Sequence, residues 1–213
     1  MELSHIISET LLAGSGLFTF LIHLKKLNTI DKILWGTFIL SVAIAALCAA
    51  LRFAGFVEMS LPNIFFKQIA ASAGVLFLTM GVYSLVANKQ ISKKIVYGVI
   101  FSGVISSVVF ISFNFQKVID IIPKIGITLV CLLGIWAVIK RRFKIGFYLL
   151  LGTFFSVLAN FIQIINLPFN QIDSYCVLLA TALICFGLAG RNTRIHCEDE
   201  QRTANIGIAN SGA

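Results

Sequence analysis

Charge is scarce in this chain of 213 residues: Asp, Glu, Lys and Arg together make up 12%, and only 9 residues are acidic. An ordinary soluble domain carries about 25% charged residues, so there is too little here to coat a water-facing surface. Histidine is rarer still. His5, His23 and His196 are the whole set, and no HxxxH or HExxH spacing exists among them. Cys48, Cys131, Cys176, Cys185 and Cys197 form no close-spaced thiolate pair. These gaps remove the usual zinc-site signatures, which need ligands a turn or a short loop apart. Neither a G-x-S-x-G elbow nor a phosphate-binding glycine loop is present, and the last apolar segment has no lysine to form a Schiff base. Proline occurs only as Pro62, Pro123 and Pro168, all expected near outer helix ends, where a missing N–H costs least. The sequence therefore calls for no cofactor, no metal and no catalytic set.

What is abundant is apolar: 58% hydrophobic residues with 19 Phe, and a mean hydropathy of +0.95. A helix rises about 1.5 Å per residue, so about 20 apolar residues cross the hydrocarbon. Seven runs meet that length, near 8–24, 33–56, 64–87, 95–113, 121–139, 145–167 and 175–190. The expected fold is all-α, a polytopic bundle of seven transmembrane helices in one domain over 1–190. A signal peptide would place basic residues before its apolar core, whereas the first ten residues contain Glu2 and Glu9 and no Lys or Arg. A soluble bundle would need polar outer faces, and the stretch from Gly146 to Leu158 has almost none.

The basic residues orient the bundle. Lys25, Lys26 and Lys32 follow the first run, and Lys89, Lys93 and Lys94 lie between the third and fourth. Lys140, Arg141, Arg142 and Lys144 join the fifth to the sixth, while Arg191, Arg194 and Arg202 follow the seventh. Only Arg52, Lys67, Lys117 and Lys124 fall on the other side. Positive residues resist translocation, which puts the N-terminus outside and the C-terminus in the cytoplasm. The net charge of +8 is thus an orientation signal and gives no nucleic-acid partner, since no folded soluble face carries it. The polar stretch 191–213 is read as a flexible cytoplasmic tail. The expected location is the cell membrane, as a multi-pass protein of the bacterial inner membrane.

Helix association in lipid depends on small residues that let backbones approach. Gly98, Ser102 and Ser106 recur every four residues in the fourth run, and Gly152, Ser156 and Asn160 in the sixth, with Ala45 and Ala49 a shorter version in the second. These faces are expected to point inward. A weak internal echo links LRFAGFVEMSLPN, ending at Asn63, with ANFIQIINLPFN, ending at Asn170. It is compatible with a three-plus-one-plus-three arrangement of parallel halves.

Polar residues gather in the outer half: Glu9, Arg52, Gln68, Asn160, Gln163 and Asp173. An intramembrane charge is costly unless paired, hydrated or able to snorkel. Arg52 has two candidate carboxylates, Glu9 and Asp173, and otherwise snorkels to the surface. Asn160 and Gln163 are three apart, on one helical face. The six are the candidate ligand-binding set for a small polar or amphipathic molecule, bound or transported. Packing and internal hydrogen bonding account for the same residues without a ligand. Ser106, Asp173 and His5 are a conceivable nucleophile, acid and base of a membrane-embedded hydrolase, although no spacing forces them together.

The stretch SETLLAGSGLFTFLIHLKK, followed by Trp35 within ILWGTFILSVAIAALCAALRFAGF, resembles small bacterial seven-helix membrane proteins of uncharacterised function. That group is similar in topology to the ceramidase-like membrane hydrolases, which use a Ser, an Asp and several His around zinc. The chain departs from that superfamily where it matters, because its runs lack the histidines, so the resemblance implies no catalytic residue here. Three functions follow: binding or transport of a ligand, a structural or regulatory subunit docking a membrane protein partner, and lipid or amide hydrolysis.

Overall fold

The computed structural model describes the backbone of residues 2–25, 27–88, 91–113, 116–164 and 170–211. The side chains of 2, 104, 106–113, 116–120, 163–164 and 193–211 lie outside that description. All regular structure among the described residues is helical. Helix α1 (Glu2–Phe18) runs on through a π turn (Thr19–His23), and α2 spans Thr29–Phe53. A short 3₁₀ turn, Val57–Met59, leads into α3 (Ser60–Ile69), which passes through a second π turn (Ala70–Gly74) into α4 (Val75–Ala87). Helices α5 (Lys93–Phe113), α6 (Gln116–Ile139), α7 (Phe143–Ile164) and α8 (Gln171–Ser211) follow.

Local chemistry sets the ends. Asn28 caps α2, its side chain accepting from the Asp31 N–H at 2.8 Å, which satisfies an otherwise orphaned donor. The reversal between α2 and α3 uses Gly55 at φ +105, a conformation open to glycine at little steric cost. Asn88 ends α4 in the left-handed region, as C-terminal caps commonly do.

Six of the helical stretches among the described residues are long and apolar enough to cross a membrane: Leu3–His23, Thr29–Phe53, Val57–Ala87, Ile121–Ile139, Phe143–Ile162 and Gln171–Asn192. Helix α5, 21 residues long, is a further rod with much of its side-chain detail outside the description. The first and last stretches begin earlier than the apolar runs, at Leu3 and Gln171 in place of 8 and 175. The added turns hold Ser4, His5 and Asp173, whose polarity hides them from a hydropathy reading but which satisfy one another. Pro123 falls in the interior of α6, a correction to its expected place near a helix end. Its ring removes one backbone hydrogen bond, a loss tolerated where neighbouring helices re-satisfy the freed carbonyl.

Helix α2 is the axis of the bundle, with 72% of its apolar window buried, against 22% for α6. Around it the core gathers Trp35, Phe38 and Ile39 of α2, Phe77 and Val82 of α4, and Leu183 and Phe186 of α8. Helices α1 and α8 lie side by side and parallel: Ser4 and Ser8 meet Asp173 at one end, and Thr19 meets Gly187 at the other.

The small-residue seams divide. Gly152 is buried, and a Cβ there would lie 2.7 Å from the Phe186 ring; Ser156 is buried too, donating to the Gly152 carbonyl at 2.9 Å. Ala45 and Ala49 are buried in α2. The expectation for α5 is corrected, because Gly98 and Ser102 are exposed and no heavy atom lies within 4 Å of a Cβ built on Gly98. Helix α5 instead meets the bundle through Val96, which is buried, and through Gly103 against Ala73. A four-residue repeat defines a helix face but not the neighbour it meets. The Ser106 side chain lies outside the described residues, as does part of the second arm of the internal echo.

Candidate functional site

An open cavity of about 460 Å³ enters the bundle between α1, α2, α3, α6, α7 and α8. Its walls are largely apolar, with Leu12, Phe38, Val42, Ile64, Val75, Pro123, Ile127 and Leu179. Six polar side chains interrupt them: Glu9, Lys67, Gln68, Ser156, Asn160 and Tyr175. This is the size of a small-molecule pocket, about 300–1,000 Å³, and the same pattern of few polar groups on an apolar wall.

Each polar residue arrives by a distinct local route. Glu9 is one turn after His5 on α1 and is 7% exposed; the Cys176 thiol of α8 faces it. Lys67 and Gln68 end α3, just before the π turn, and such a bulge re-aims the side chains around it. Gln68 Oε1 is buried and has no hydrogen-bond partner among the described residues. On α7, Asn160 Nδ2 donates to the Ser156 carbonyl at 2.8 Å, so one of its N–H groups is already used. Asn63, buried, donates to the Ala45 carbonyl at 2.6 Å and holds α3 against α2 beside the cavity.

Glu9, Gln68 and Asn160, three of the six residues singled out in the sequence, therefore reach one cavity from three helices. Arg52 and Asp173 do not line it. The guanidinium of Arg52 sits 4.9 Å from the ring centroid of its neighbour Phe53, and Arg52 forms no ion pair with Glu9 or Asp173 among the described residues. Asp173 is occupied otherwise. It accepts from Ser8 Oγ at 2.7 Å and from Ser4 Oγ, and it meets His5 Nδ1 at 3.1 Å. Of the two carboxylates named as candidate partners for Arg52, Asp173 is thus engaged in an α1–α8 clasp, in which hydroxyls a turn apart on α1 satisfy it. The Gln163 side chain lies outside the described residues.

Sequence reasoning missed Lys67, Ser156 and Tyr175 as cavity residues. In the sequence Lys67 counts as a charge on the outer side and Ser156 as part of a packing seam, and Tyr175 carries no signal of its own. The available signal was that Lys67 and Gln68 are adjacent, and that Ser156 and Asn160 share a face. His5 and Asp173, two of the three conceivable hydrolase residues, are in contact, while the Ser106 side chain lies outside the described residues. No group of three or more His, Cys, Asp or Glu that could hold a metal ion occurs among the described residues.

At the opposite end, a second cavity of about 260 Å³ is shared by Asn28, Thr29, Ile30, Asp31, Ile91 and Lys93. Arg142 donates from the α6–α7 connection to the Leu85 carbonyl near the end of α4, at 2.7 Å. The α1–α2, α4–α5 and α6–α7 connections, where the basic residues cluster, therefore adjoin one another. Lys140 caps this end over the Trp136 ring at 4.3 Å.

Long apolar helices, a core built around α2 and an amphipathic cavity define the chain as an all-α polytopic membrane protein. It belongs to the family of unknown function DUF6962, whose model matches residues 5–195. No curated protein and no solved structure matches the chain.

Proposed function

We propose that the protein binds a small amphipathic molecule in the 460 Å³ cavity, with all seven helices crossing the membrane, the N-terminus outside, and the 191–213 tail in the cytoplasm of a bacterial inner membrane. One observation carries this reading: Glu9, Gln68 and Asn160 come from three separate helices and line a single cavity. Polar groups inside an apolar bundle are expensive, and a packing role predicts that they bond one another. Gln68 Oε1 instead has no partner among the described residues. Transport would add alternating access to binding, and the two π turns offer places where helices can adjust.

The test is native mass spectrometry of the protein released from its own membranes. A co-purifying small molecule is expected in the wild type and absent from the cavity-filling variant Ala71→Phe. A wild type that carries nothing but bulk phospholipid, indistinguishable from the variant, would count against the reading.

A second reading, a structural or regulatory subunit, has one observation in its favour. The exposed Gly98 and Ser102 of α5 offer a face on which another transmembrane helix can approach closely. Stoichiometric copurification of a membrane protein, lost in Gly98→Leu, would support it.

A further inference from the structure

Resting on the binding reading above, we infer that the cavity takes a cation: an amphipathic amine whose ammonium group sits at Glu9 and whose apolar stem lies along the cavity wall. Glu9 is buried and no ion pair to it exists among the described residues. An ionised carboxylate in that position is acceptor-only and costly without a counter-charge. Asn160 has one N–H turned back to the Ser156 carbonyl, and Ser156 Oγ is turned back to the Gly152 carbonyl. Two of the available donors are thus consumed within α7, while the Glu9 carboxylate, which lines the cavity and takes the Cys176 thiol as a donor, keeps acceptor capacity for a stronger one. A guest bearing several N–H groups and a positive charge supplies that carboxylate with a charge-assisted donor.

Lys67 is the competing cation. It lines the same cavity and its charge acts on Glu9, yet the residue is exposed, and a lysine stem lets the ammonium swing out to water. The arrangement is that of a removable internal counter-ion: Lys67 balances Glu9 in the empty cavity and withdraws as the guest's ammonium enters. An anionic guest would face the opposite situation, with Glu9 repelling it at the buried end. The walls then set the remainder of the ligand, since Leu12, Phe38, Val42 and Leu179 offer only apolar contact.

The experiment compares three probes of similar size on the full-length protein in nanodiscs: 2-phenylethylammonium, 2-phenylethanol and 3-phenylpropanoate. Binding is measured by calorimetry, with empty nanodiscs subtracted for partitioning. The ammonium is expected to bind tightest, by about tenfold or more over both others, the scale of one hydrogen bond to a charged group. Glu9→Gln, which keeps shape and removes the charge, is expected to abolish that preference while leaving the alcohol unchanged. Lys67→Met is expected to tighten the ammonium several-fold, and as a substitution at an exposed position it gives a result even if Glu9→Gln fails to fold. Equal or tighter binding of the alcohol or the carboxylate overturns the cation inference but leaves an amphipathic binding cavity standing. Absence of binding by all three probes overturns both.

Discussion

Ser8 Oγ donates to Asp173 at 2.7 Å, joining the N-terminal turns of α1 and α8 across 165 residues of sequence. The same carboxylate meets His5 Nδ1 at 3.1 Å. A hydrogen bond to a charged group contributes more than a neutral one, and its removal strands the partner. Asp173→Ala is expected to destabilise the protein by about 2 kcal/mol. In a thermal-denaturation cycle with Ser8→Ala, the two changes should be non-additive by at least about 0.5 kcal/mol. Additivity would mean that the clasp does not hold the helices together.

Arg52 gives the contrasting case. It rests against Phe53 and forms no ion pair with Glu9 or Asp173 among the described residues, so Arg52→Ala loses a partly exposed cation–π contact, about 0.5–1 kcal/mol, and a weak longer-range attraction to Glu9. Combined with Glu9→Gln, its effect should add within roughly 0.3–0.5 kcal/mol. A loss of several kcal/mol in Arg52→Ala alone would instead reveal a buried ion pair.

Two glycines with the same four-residue spacing signal should respond oppositely to alanine. At Gly152 a Cβ would lie 2.7 Å from the Phe186 ring, and overpacking of that kind costs about 1–3 kcal/mol. Phe186→Leu should recover part of the loss. Gly98→Ala meets nothing within 4 Å and should be neutral or stabilising by up to about 1 kcal/mol through helix propensity. Melting temperatures of the purified variants separate the two.

How much of this was legible in the sequence depends on what each residue had to signal. The helical, membrane-spanning character is carried by uninterrupted apolar length, which no tertiary contact can alter. Glu9, Gln68 and Asn160 stood out because polar groups in apolar runs are expensive, and the cavity collects them. Asp173 stood out too, but its partners did not. Ser4, His5 and Ser8 precede or open the apolar run, and nothing local links them to a residue so distant in sequence. The α5 seam misled because periodicity fixes a face and leaves its neighbour open. The π turns after Phe18 and Ile69 left no sequence mark, since they arise from the way α1 and α3 are fitted against α8 and α5. Lys67 counted only as one of the few basic residues on the outer side, and its place on the wall of the cavity came from the fold.

The orientation proposed from the basic connections has its own check. Cys197 lies within the last basic cluster, between Arg194 and Arg202, so a membrane-impermeant maleimide should label it in inverted vesicles and leave it unmodified in intact cells. Labelling from outside, in a variant with the other four cysteines replaced by serine or alanine, would reverse the topology.

The central claim is that Glu9, Gln68 and Asn160 converge on a cavity built to hold a guest. An experimental structure of the protein in lipid nanodiscs, prepared without added ligand and resolved well enough to show bound small molecules, tests it most directly. The account predicts ordered density for a small molecule within hydrogen-bonding distance of Glu9, between Gln68 and Asn160, with apolar density extending past Phe38 and Val42. A bundle closed over the same region, with Gln68 bonded to a neighbouring side chain and Asn160 facing lipid, would contradict it.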